Sequence, residues 1–168
     1  MRTIRPIFSG ADTAGDAVEA LVRDGWDFVF IDTPPAFLNV MQDAITHANL
    51  VLIPLRPGAI DLIASEDAVL AAQKAGVGYL CVLNDAEPAW KTTRATRDYL
   101  VEGDVTVAKT IIAHRKPYLA AMTSGNTGPE VEDRKRKCGA EVDALWGEIK
   151  KALADKQQQE KHRVERIF

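Results

Sequence analysis

The chain has 168 residues, of which 46% are hydrophobic and 27% are charged, so it is long and apolar enough for one ordinary globular domain. Its formal net charge of −3 gives no overall attraction to nucleic acid or to an anionic membrane, so binding to a polyanion would require a local basic patch. The widely spaced Cys81 and Cys138 indicate neither a zinc site nor a disulfide framework, and no signal or membrane-spanning pattern occurs, so we expect a cytoplasmic protein.

The first fifty residues predict two strands and two helices. Residues 26–31 read Trp-Asp-Phe-Val-Phe-Ile, an apolar, aromatic and β-branched run that is typical of a central strand buried on both faces. Residues 3–8 are a second candidate strand. We expect Asp12 or Thr13 to cap a helix that ends at Gly25, and a further helix over residues 36–47.

Beyond residue 48, strands and helices alternate. Apolar runs predict strands at 50–55 and 77–83, separated by a helix at 60–75. Downstream we expect a helix at 90–101, a short strand at 110–113 and a long helix from about Pro129, with an apolar stripe of Val142, Leu145, Trp146, Ile149 and Leu153. The alternation predicts an α/β fold, a doubly wound and mostly parallel sheet flanked by helices, over residues 1–153, with a polar helical or disordered tail at 154–168.

Asp32 is the residue that points most directly to chemistry. It follows the apolar run at 26–31 and precedes Pro34 and Pro35. In open α/β sheets, ligands bind beyond the carboxyl ends of the strands, and an aspartate there can hold hydrated Mg²⁺ beside nucleotide phosphates. The alternative is that Asp32 only caps the next helix.

Several motifs together resemble the ParA/MinD family of partition ATPases. Asp32-Thr-Pro-Pro35 resembles the family's Walker B and switch region. Residues 48–57 followed by Asp61, the strand ending in Val82-Leu-Asn84, and residues 111–118 followed by Gly125 and Glu130 resemble later segments of the family. The resemblance extends from about Gly25 to Leu153.

The resemblance implies a P-loop NTPase-like fold, ATP and Mg²⁺ as cofactors, and a role in plasmid or chromosome segregation. Asp32 would hold Mg²⁺ through water, Thr33 and Pro34 would belong to the switch, and Asn84 would lie near the adenine. The implied partners are a second copy or a full-length ParA, a ParB-like protein that stimulates hydrolysis, and DNA. For Asn84 the alternative is an ordinary turn residue.

Basic residues near the C-terminal part are candidates for contact with DNA. Arg115 and Lys116, together with the cluster at 134–137, would form a patch for non-specific binding to DNA phosphates, as the resemblance implies. For the cluster at 134–137 a solvated helix face is the alternative, since acidic residues stand beside it. The three histidines have no partner pattern for acid–base work.

The family's glycine-rich phosphate loop, with its lysines, is missing before Asp32. No lysine occurs among the first 31 residues. Residues 10–15 have the glycine spacing of such a loop, but Asp16 and Ala17 stand where Lys and Ser or Thr are needed, so we expect an ordinary helix-capping loop. The chain as given is therefore expected to be an N-terminally truncated relative with little or no ATPase activity and no catalytic residue.

Two other interpretations remain open at this stage. The chain could be a non-enzymatic regulator or interaction module that pairs with a full-length ParA or with DNA. Alternatively, a start site assigned too late would make it part of an ordinary ATPase.

Overall fold

The computed structural model describes residues 14–33, 38–131 and 136–165, and the chain divides into two compact units, Met1–Asn49 and Leu50–Phe168. In chain order the described residues form α1 (Ala14–Arg23), α2 (Leu38–Thr46), β1 (Leu50–Leu55), α3 (Ala59–Ala75), β2 (Gly78–Ala86), α4 (Lys91–Glu102), β3 (Ile112–Ala113), α5 (Lys116–Ser124), α6 (Gly128–Val131) and α7 (Lys137–Glu165).

The first unit contains the two predicted helices, packed together at one end. The backbone N–H of Ala14, at the start of α1, donates a hydrogen bond of 2.8 Å to the Asp43 carboxylate on α2. This bond satisfies one of the free N–H groups that every helix leaves at its N-terminus. Gly15 is buried against the His47 ring, which leaves no room for a side chain at that position.

The prediction of a central strand at 26–31 is wrong. Residues 26–33 belong to no strand, and the side chains of Phe28 and Phe30 are 46% and 62% exposed. A strand buried on both faces forms only where neighbouring strands supply hydrogen bonds and helices cover both faces. The exposure of Phe28 and Phe30 shows that this stretch is not covered on both faces, so it does not have the burial of the predicted central strand. The other candidate strand, at 3–8, lies outside the described residues.

The second unit is built on a three-stranded parallel sheet in the order β1-β2-β3. The register pairs Leu50 with Gly78 and Leu55 with Leu83. The predicted strand at 50–55 is confirmed, the strand predicted at 110–113 is shorter, Ile112–Ala113, and β2 continues past the predicted end at 83 to Ala86. Pro54 has no N–H to donate, and its strand is an outer one of this described sheet, where proline is tolerated.

The side chains of β2 alternate between two hydrophobic cores. Cys81 and Leu83 pack in a core with Val69 of α3 and Leu100 of α4. Leu80 and Val82 pack in a second core, whose α7 members are Leu145, Trp146, Ile149 and Leu153. The two cores lie on opposite faces of the strand because successive side chains of a strand point to opposite faces. The predicted α/β fold, a parallel sheet flanked by helices, is confirmed.

Burial in the first of these cores also fixes the state of the Cys81 thiol. The side chain is fully buried, and this burial raises the pKa of the thiol to about 11. The thiol therefore stays protonated at neutral pH and acts as a small apolar side chain, as its place in an apolar strand predicts.

The C-terminal helices differ from the prediction of one long helix from about Pro129. A short helix, α6, occupies that position, and α7 begins only at Lys137. Helix α5 was not predicted either. Its first turn contains Pro117, and Gly125, with φ +68°, follows its C-terminus. Although α7 has 29 residues, neither it nor any other helix of the described part carries an apolar stretch able to cross a bilayer.

The Glu148 side chain of α7 forms hydrogen bonds with the loop that leads into β3. Its carboxylate accepts hydrogen bonds from the N–H of Lys109 at 2.7 Å, the N–H of Thr110 at 2.8 Å and the Thr110 hydroxyl at 2.5 Å. Partial burial raises the pKa of Glu148, but the hydrogen bonds from Thr110 and from the two backbone N–H groups outweigh burial, and the pKa is lowered overall. The ionised carboxylate is therefore the form that stabilises the fold.

Replacing Glu148 with alanine should destabilise the chain. We expect Glu148→Ala to lower the free energy of unfolding by about 1–2 kcal/mol at neutral pH, because three hydrogen bonds to a charged group are lost. Urea unfolding followed by circular dichroism measures the change. Asp155→Ala, on the same helix, is the matched control, with an expected change below about 0.5 kcal/mol.

The decrease in the free energy of unfolding caused by Glu148→Ala should also depend on pH. Because the folded-state pKa lies below the ordinary value of 4.5, the contribution of Glu148 is present above pH 4.5 and is lost as the pH falls through the lowered pKa. The unfolding curves of the two proteins should therefore converge on acidification. A deficit that stays constant down to the acid-unfolding transition would contradict this.

Candidate functional site

The carboxyl ends of the three parallel strands meet at one edge of the sheet. Since Leu55 pairs with Leu83, Arg56 follows β1 at the level of Asn84 on β2, and His114 follows β3 directly. Ligands of open α/β sheets bind beyond this end of the strands. We call the polar residues Arg56, Asn84, Asp85 and His114 the carboxyl edge.

Asp85 is the extra residue of a β-bulge within this edge. Asn84 pairs with Ile112 and Ala86 with Ala113, so two steps on β2 match one step on β3. Asp85 has φ +51°, in the left-handed region, where aspartate is one of the few tolerated non-glycine residues. Bulges beside functional sites re-aim a side chain, and this one turns Asp85 toward β3.

The re-aimed carboxylate of Asp85 contacts His114. The Nδ1 atom of His114 lies 2.5 Å from Oδ1 of Asp85, and the His114 backbone N–H donates to the carbonyl of Ala86 at 3.1 Å. An ionised carboxylate only accepts, so Nδ1 carries the proton, and Nε2 is left as the acceptor of the neutral ring. The two side chains are 54% and 48% exposed, so a ligand can reach them. The structure thus gives His114 a carboxylate partner that the sequence pattern did not indicate, and this contact leaves the prediction of no catalytic residue untested.

The loop after β1 adds charged groups beside the edge. Nε of Arg56 lies 3.3 Å from Oδ1 of Asp61, and Gly58 between them has φ +150°, in a region that favours glycine. The Arg56 side chain is 65% exposed, and exposed pairs of this kind contribute at most about 1 kcal/mol. Arg56 can therefore turn from Asp61 to an anionic ligand at small cost.

Asn84 is the predicted base-contacting residue, and it lies at the carboxyl edge with an exposed side chain. Its amide offers both a donor and an acceptor, the combination that hydrogen bonding to the edge of a purine ring requires. The neighbouring Asp85 and His114 were not predicted. A base-binding role for Asn84 stays a prediction with suitable chemistry around it.

The predicted magnesium and switch residues belong to the first unit. Asp32 is exposed in the stretch that forms no strand, Thr33 is half-buried, and Pro34 lies outside the described residues. Within residues 14–33, 38–131 and 136–165, no group of three or more histidine, cysteine, aspartate or glutamate side chains is arranged to hold a metal ion. A magnesium ion held through water by a single carboxylate beside phosphates needs no such group, so the role of Asp32 stays a prediction.

Arg115, one of the two predicted DNA-binding residues, is held by Glu141 of α7. Its Nε donates to Oε1 of Glu141 at 2.9 Å, and its terminal nitrogen donates to the same oxygen. The side chains of Arg115 and Glu141 are only 25% and 16% exposed. Lys116, the first residue of α5, is exposed. The charge of Arg115 is thus largely balanced within the fold, whereas the ammonium group of Lys116 faces solvent.

Tyr118 completes the contacts of Glu141. Its hydroxyl donates to Glu141 Oε2 at 3.4 Å and to the carbonyl of Cys138 at 3.3 Å. Burial, and next the electrostatic effects of Cys138 and Glu141, raise the pKa of Tyr118 well above its ordinary value, so the phenol remains a neutral donor. Arg115, Tyr118 and Glu141 thereby join β3 and α5 to α7.

The ion pair of Arg115 predicts a structural effect that Lys116 should not share. Arg115→Ala should lower the free energy of unfolding by about 2 kcal/mol, because it leaves the half-buried Glu141 carboxylate without its cation. Lys116→Ala should change it by less than about 0.5 kcal/mol. Chemical unfolding of both variants checks this, and equal effects would contradict the assignment.

The hydrogen bond to Asp85 predicts the tautomer of His114. In a long-range ¹H–¹⁵N spectrum of the imidazole rings at neutral pH, His114 should show a protonated Nδ1. Asp85→Gly keeps a residue that accepts positive φ but removes the carboxylate, so the preference for Nδ1–H should weaken. The signals of His47 serve as the internal control. An unchanged His114 pattern in Asp85→Gly would refute the contact.

Comparison with known proteins adds one similarity. No protein-family model matches the chain. The chain is 26% identical over 135 residues to the "Maintenance of carboxysome distribution protein A" of Halothiobacillus neapolitanus (strain ATCC 23641 / c2). The match covers 77% of this chain and 62% of that protein, so the chain spans less than two thirds of its relative. The matched length exceeds the second unit alone, and the similarity supports the ParA/MinD-like resemblance of the sequence.

Proposed function

We propose that this chain is a distant ParA/MinD-like protein that acts in the cytoplasm as part of a nucleotide-responsive switch for distributing a cellular cargo. The observation that carries the proposal is the similarity, over 77% of the chain, to a protein named for maintaining carboxysome distribution. The motifs around Asp32, Asn84 and Arg115 support it independently, because they recur in the order expected for the family. Plasmid or chromosome segregation is the corresponding role for a DNA cargo.

The carboxyl edge is the part of the chain suited to the base of a nucleotide. Asn84 would pair with the adenine edge, and the bulge at Asp85, tied to His114, would keep the end of β2 rigid beside it. Arg56 would supply a cation near the sugar or phosphates. ATP, when bound, supplies the phosphoanhydride whose hydrolysis resets such a switch.

Other groups would bind the phosphates and the metal ion. Asp32, Thr33 and Pro34 would serve Mg²⁺ and the switch in an assembled site. The phosphate loop would be supplied by residues that are not among these 168. Within the same proposal, a second copy or a full-length ParA is the partner in dimerisation and a ParB-like protein the stimulator of hydrolysis. Lys116, with a smaller share from Arg115, would contact DNA phosphates.

A non-enzymatic regulator that pairs with a full-length relative or with DNA is the second candidate. It is favoured by one observation, the exposed position of Asp32 in a stretch that forms no strand. A single exposed carboxylate holds Mg²⁺ only together with further ligands such as phosphate oxygens and water.

If the carboxyl edge binds the base and other groups bind the phosphates, the chain alone should not prefer ATP over adenosine. The 168-residue chain should bind adenosine and ATP with similar dissociation constants of about 1 mM, differing by less than about threefold, because only the base is held. Addition of Mg²⁺ should not change either value. Asn84→Ala should weaken both ligands alike, whereas Asn39→Ala, at an exposed asparagine of the first unit, should weaken neither.

Calorimetric titration measures these affinities. Tight, magnesium-dependent binding of ATP that Asp32→Ala abolishes would contradict this expectation and would mean that the chain itself completes the phosphate site. If adenosine does not bind, the proposal that the carboxyl edge binds the base is wrong, and the non-enzymatic regulator is favoured.

A further inference from the structure

An exposed tryptophan stands at the start of α4. Trp90 directly precedes Lys91, the first residue of the helix, and the tryptophan is 57% exposed. Its backbone N–H donates to the carbonyl of Glu87 at 3.0 Å, and its carbonyl accepts the N–H of Arg94 at 3.3 Å. A tryptophan with an anchored backbone and a solvent-accessible ring offers a flat apolar surface to a ligand.

Two arginines follow Trp90 on the same side of α4. Trp90, Arg94 and Arg97 have the spacing i, i+4, i+7, which places residues along one face of a helix. The Arg94 guanidinium donates to the carbonyl of Ala89 at 3.3 Å, next to Trp90, and the Arg97 guanidinium donates to the carbonyl of Lys109 at 3.1 Å. Lys109 is exposed and adds a third cation beside the arginines. We call Trp90, Arg94, Arg97 and Lys109 the α4 stripe.

The α4 stripe faces away from α3. Thr96 and Tyr99 of α4 line a hollow that is shared with α3. Arg97 instead reaches the loop before β3, which lies on the other side of the helix. Trp90 and Arg94 are exposed on this second side, so a ligand can reach them.

The arginines of the stripe are not neutralised by carboxylates. In the part of the chain that the structure describes, neither Arg94 nor Arg97 forms an ion pair, and each donates to a backbone carbonyl instead. A backbone carbonyl satisfies a guanidinium N–H but does not cancel its charge. The charge of Lys109 is balanced in part by Glu148, whose carboxylate accepts the Lys109 backbone N–H.

The acidic residues near α4 lie beside the stripe rather than within it. Glu102 lines a hollow on the α3 side of the helix. Asp98 lies at the margin of the stripe, about 40° around the helix from Arg94. Glu87 and Asp104 belong to the loops before and after the helix. The stripe is therefore a local basic patch of the kind that a chain with a net charge of −3 needs for binding a polyanion.

An aromatic ring beside unpaired cations fits a single-stranded nucleic acid. Every unpaired base has a flat face that stacks on an aromatic side chain, and the phosphates on either side of that base attract arginine and lysine. A duplex keeps its base faces inside the stack, so it could use only the cations. From Trp90 to Arg97 the stripe extends about 10 Å along α4, enough for a short piece of strand.

We propose that the α4 stripe binds single-stranded DNA or RNA. A base stacks on Trp90, and Arg94, Arg97 and Lys109 bind the adjoining phosphates. The binding does not depend on base sequence, because every base presents a stacking face. The stripe includes neither Asn84 nor Lys116, so this site is separate from the proposed nucleotide site and from the predicted contact with DNA.

Removal of the aromatic ring tests the stacking contact. Fluorescence anisotropy of a labelled oligothymidylate of about twelve nucleotides, titrated with the full chain, should give a dissociation constant of about 10–100 µM at low salt. Trp90→Ala should raise this constant at least about fivefold, whereas Trp90→Phe, which keeps a ring, should restore most of the affinity. Tyr99→Ala is the matched control, because it removes an exposed aromatic side chain from the α3 side of the same helix, and it should change nothing.

The salt dependence of binding tests the phosphate contacts. The slope of the logarithm of the affinity against the logarithm of the salt concentration should decrease in magnitude by about 0.7 in Arg94→Ala and again in Arg97→Ala. Lys74→Ala removes an exposed cation from the end of α3 and should keep the wild-type slope. Circular dichroism verifies the fold of Arg97→Ala, which also loses the hydrogen bond to Lys109.

Comparison of ligands separates stacking from simple attraction between charges. An oligouridylate of the same length shows whether RNA binds as well as DNA does. Polyphosphate, or the duplex of the oligothymidylate with oligoadenylate, would overturn the proposal if it bound as tightly as the single strand and Trp90→Ala had no effect. The proposal would also be wrong if the single strand did not bind at low salt, or if Lys116→Ala or Asn84→Ala weakened its binding and Arg94→Ala did not.

Discussion

The second unit depends on the requirement that β2 be covered on both faces. Its alternating side chains need one apolar layer from α3 and α4 and another from α7, and the sequence supplies both through Val69, Leu100 and Ile149. The loop before β3 is held to α7 by Glu148, and β3 itself by Glu141, so the third strand keeps its place beside the second. The apolar side chains of β2 thus lie in the two cores, and its polar side chains lie near the carboxyl end of the strand.

The polar end of β2 is where the fold offers chemistry. Between the buried Leu83 and the buried Ala86, the side chains of Asn84 and Asp85 are exposed at the edge where α/β proteins bind ligands. The bulge turns Asp85 toward His114, and both side chains of the pair remain accessible to solvent.

Elements were predicted correctly where the residues that stabilise them lie nearby in the chain. The predictions failed where those residues are distant in the chain. The strand Leu50–Leu55 was predicted correctly because its apolar run and the following helix are encoded within thirty residues. Residues 26–31 have an equally apolar run, but the side chains of Phe28 and Phe30 are exposed, so this stretch is not buried on both faces as a central strand would be. His114 and Asp85 are 29 residues apart, and only the register and the bulge bring them together. The helix α5 was missed although Pro117 and Gly125 carried start and stop signals.

The most direct test of the account is a map of where adenosine binds. Amide chemical shifts of the chain, followed during titration with adenosine, should change at Asn84, Asp85 and His114 and at Arg56, while α7 beyond Leu153 and the whole of α1 stay unperturbed. Such a pattern would support the carboxyl edge as the base side of a nucleotide switch. Changes confined to other elements, or none at saturating adenosine, would contradict the central claim that this edge is the ligand site.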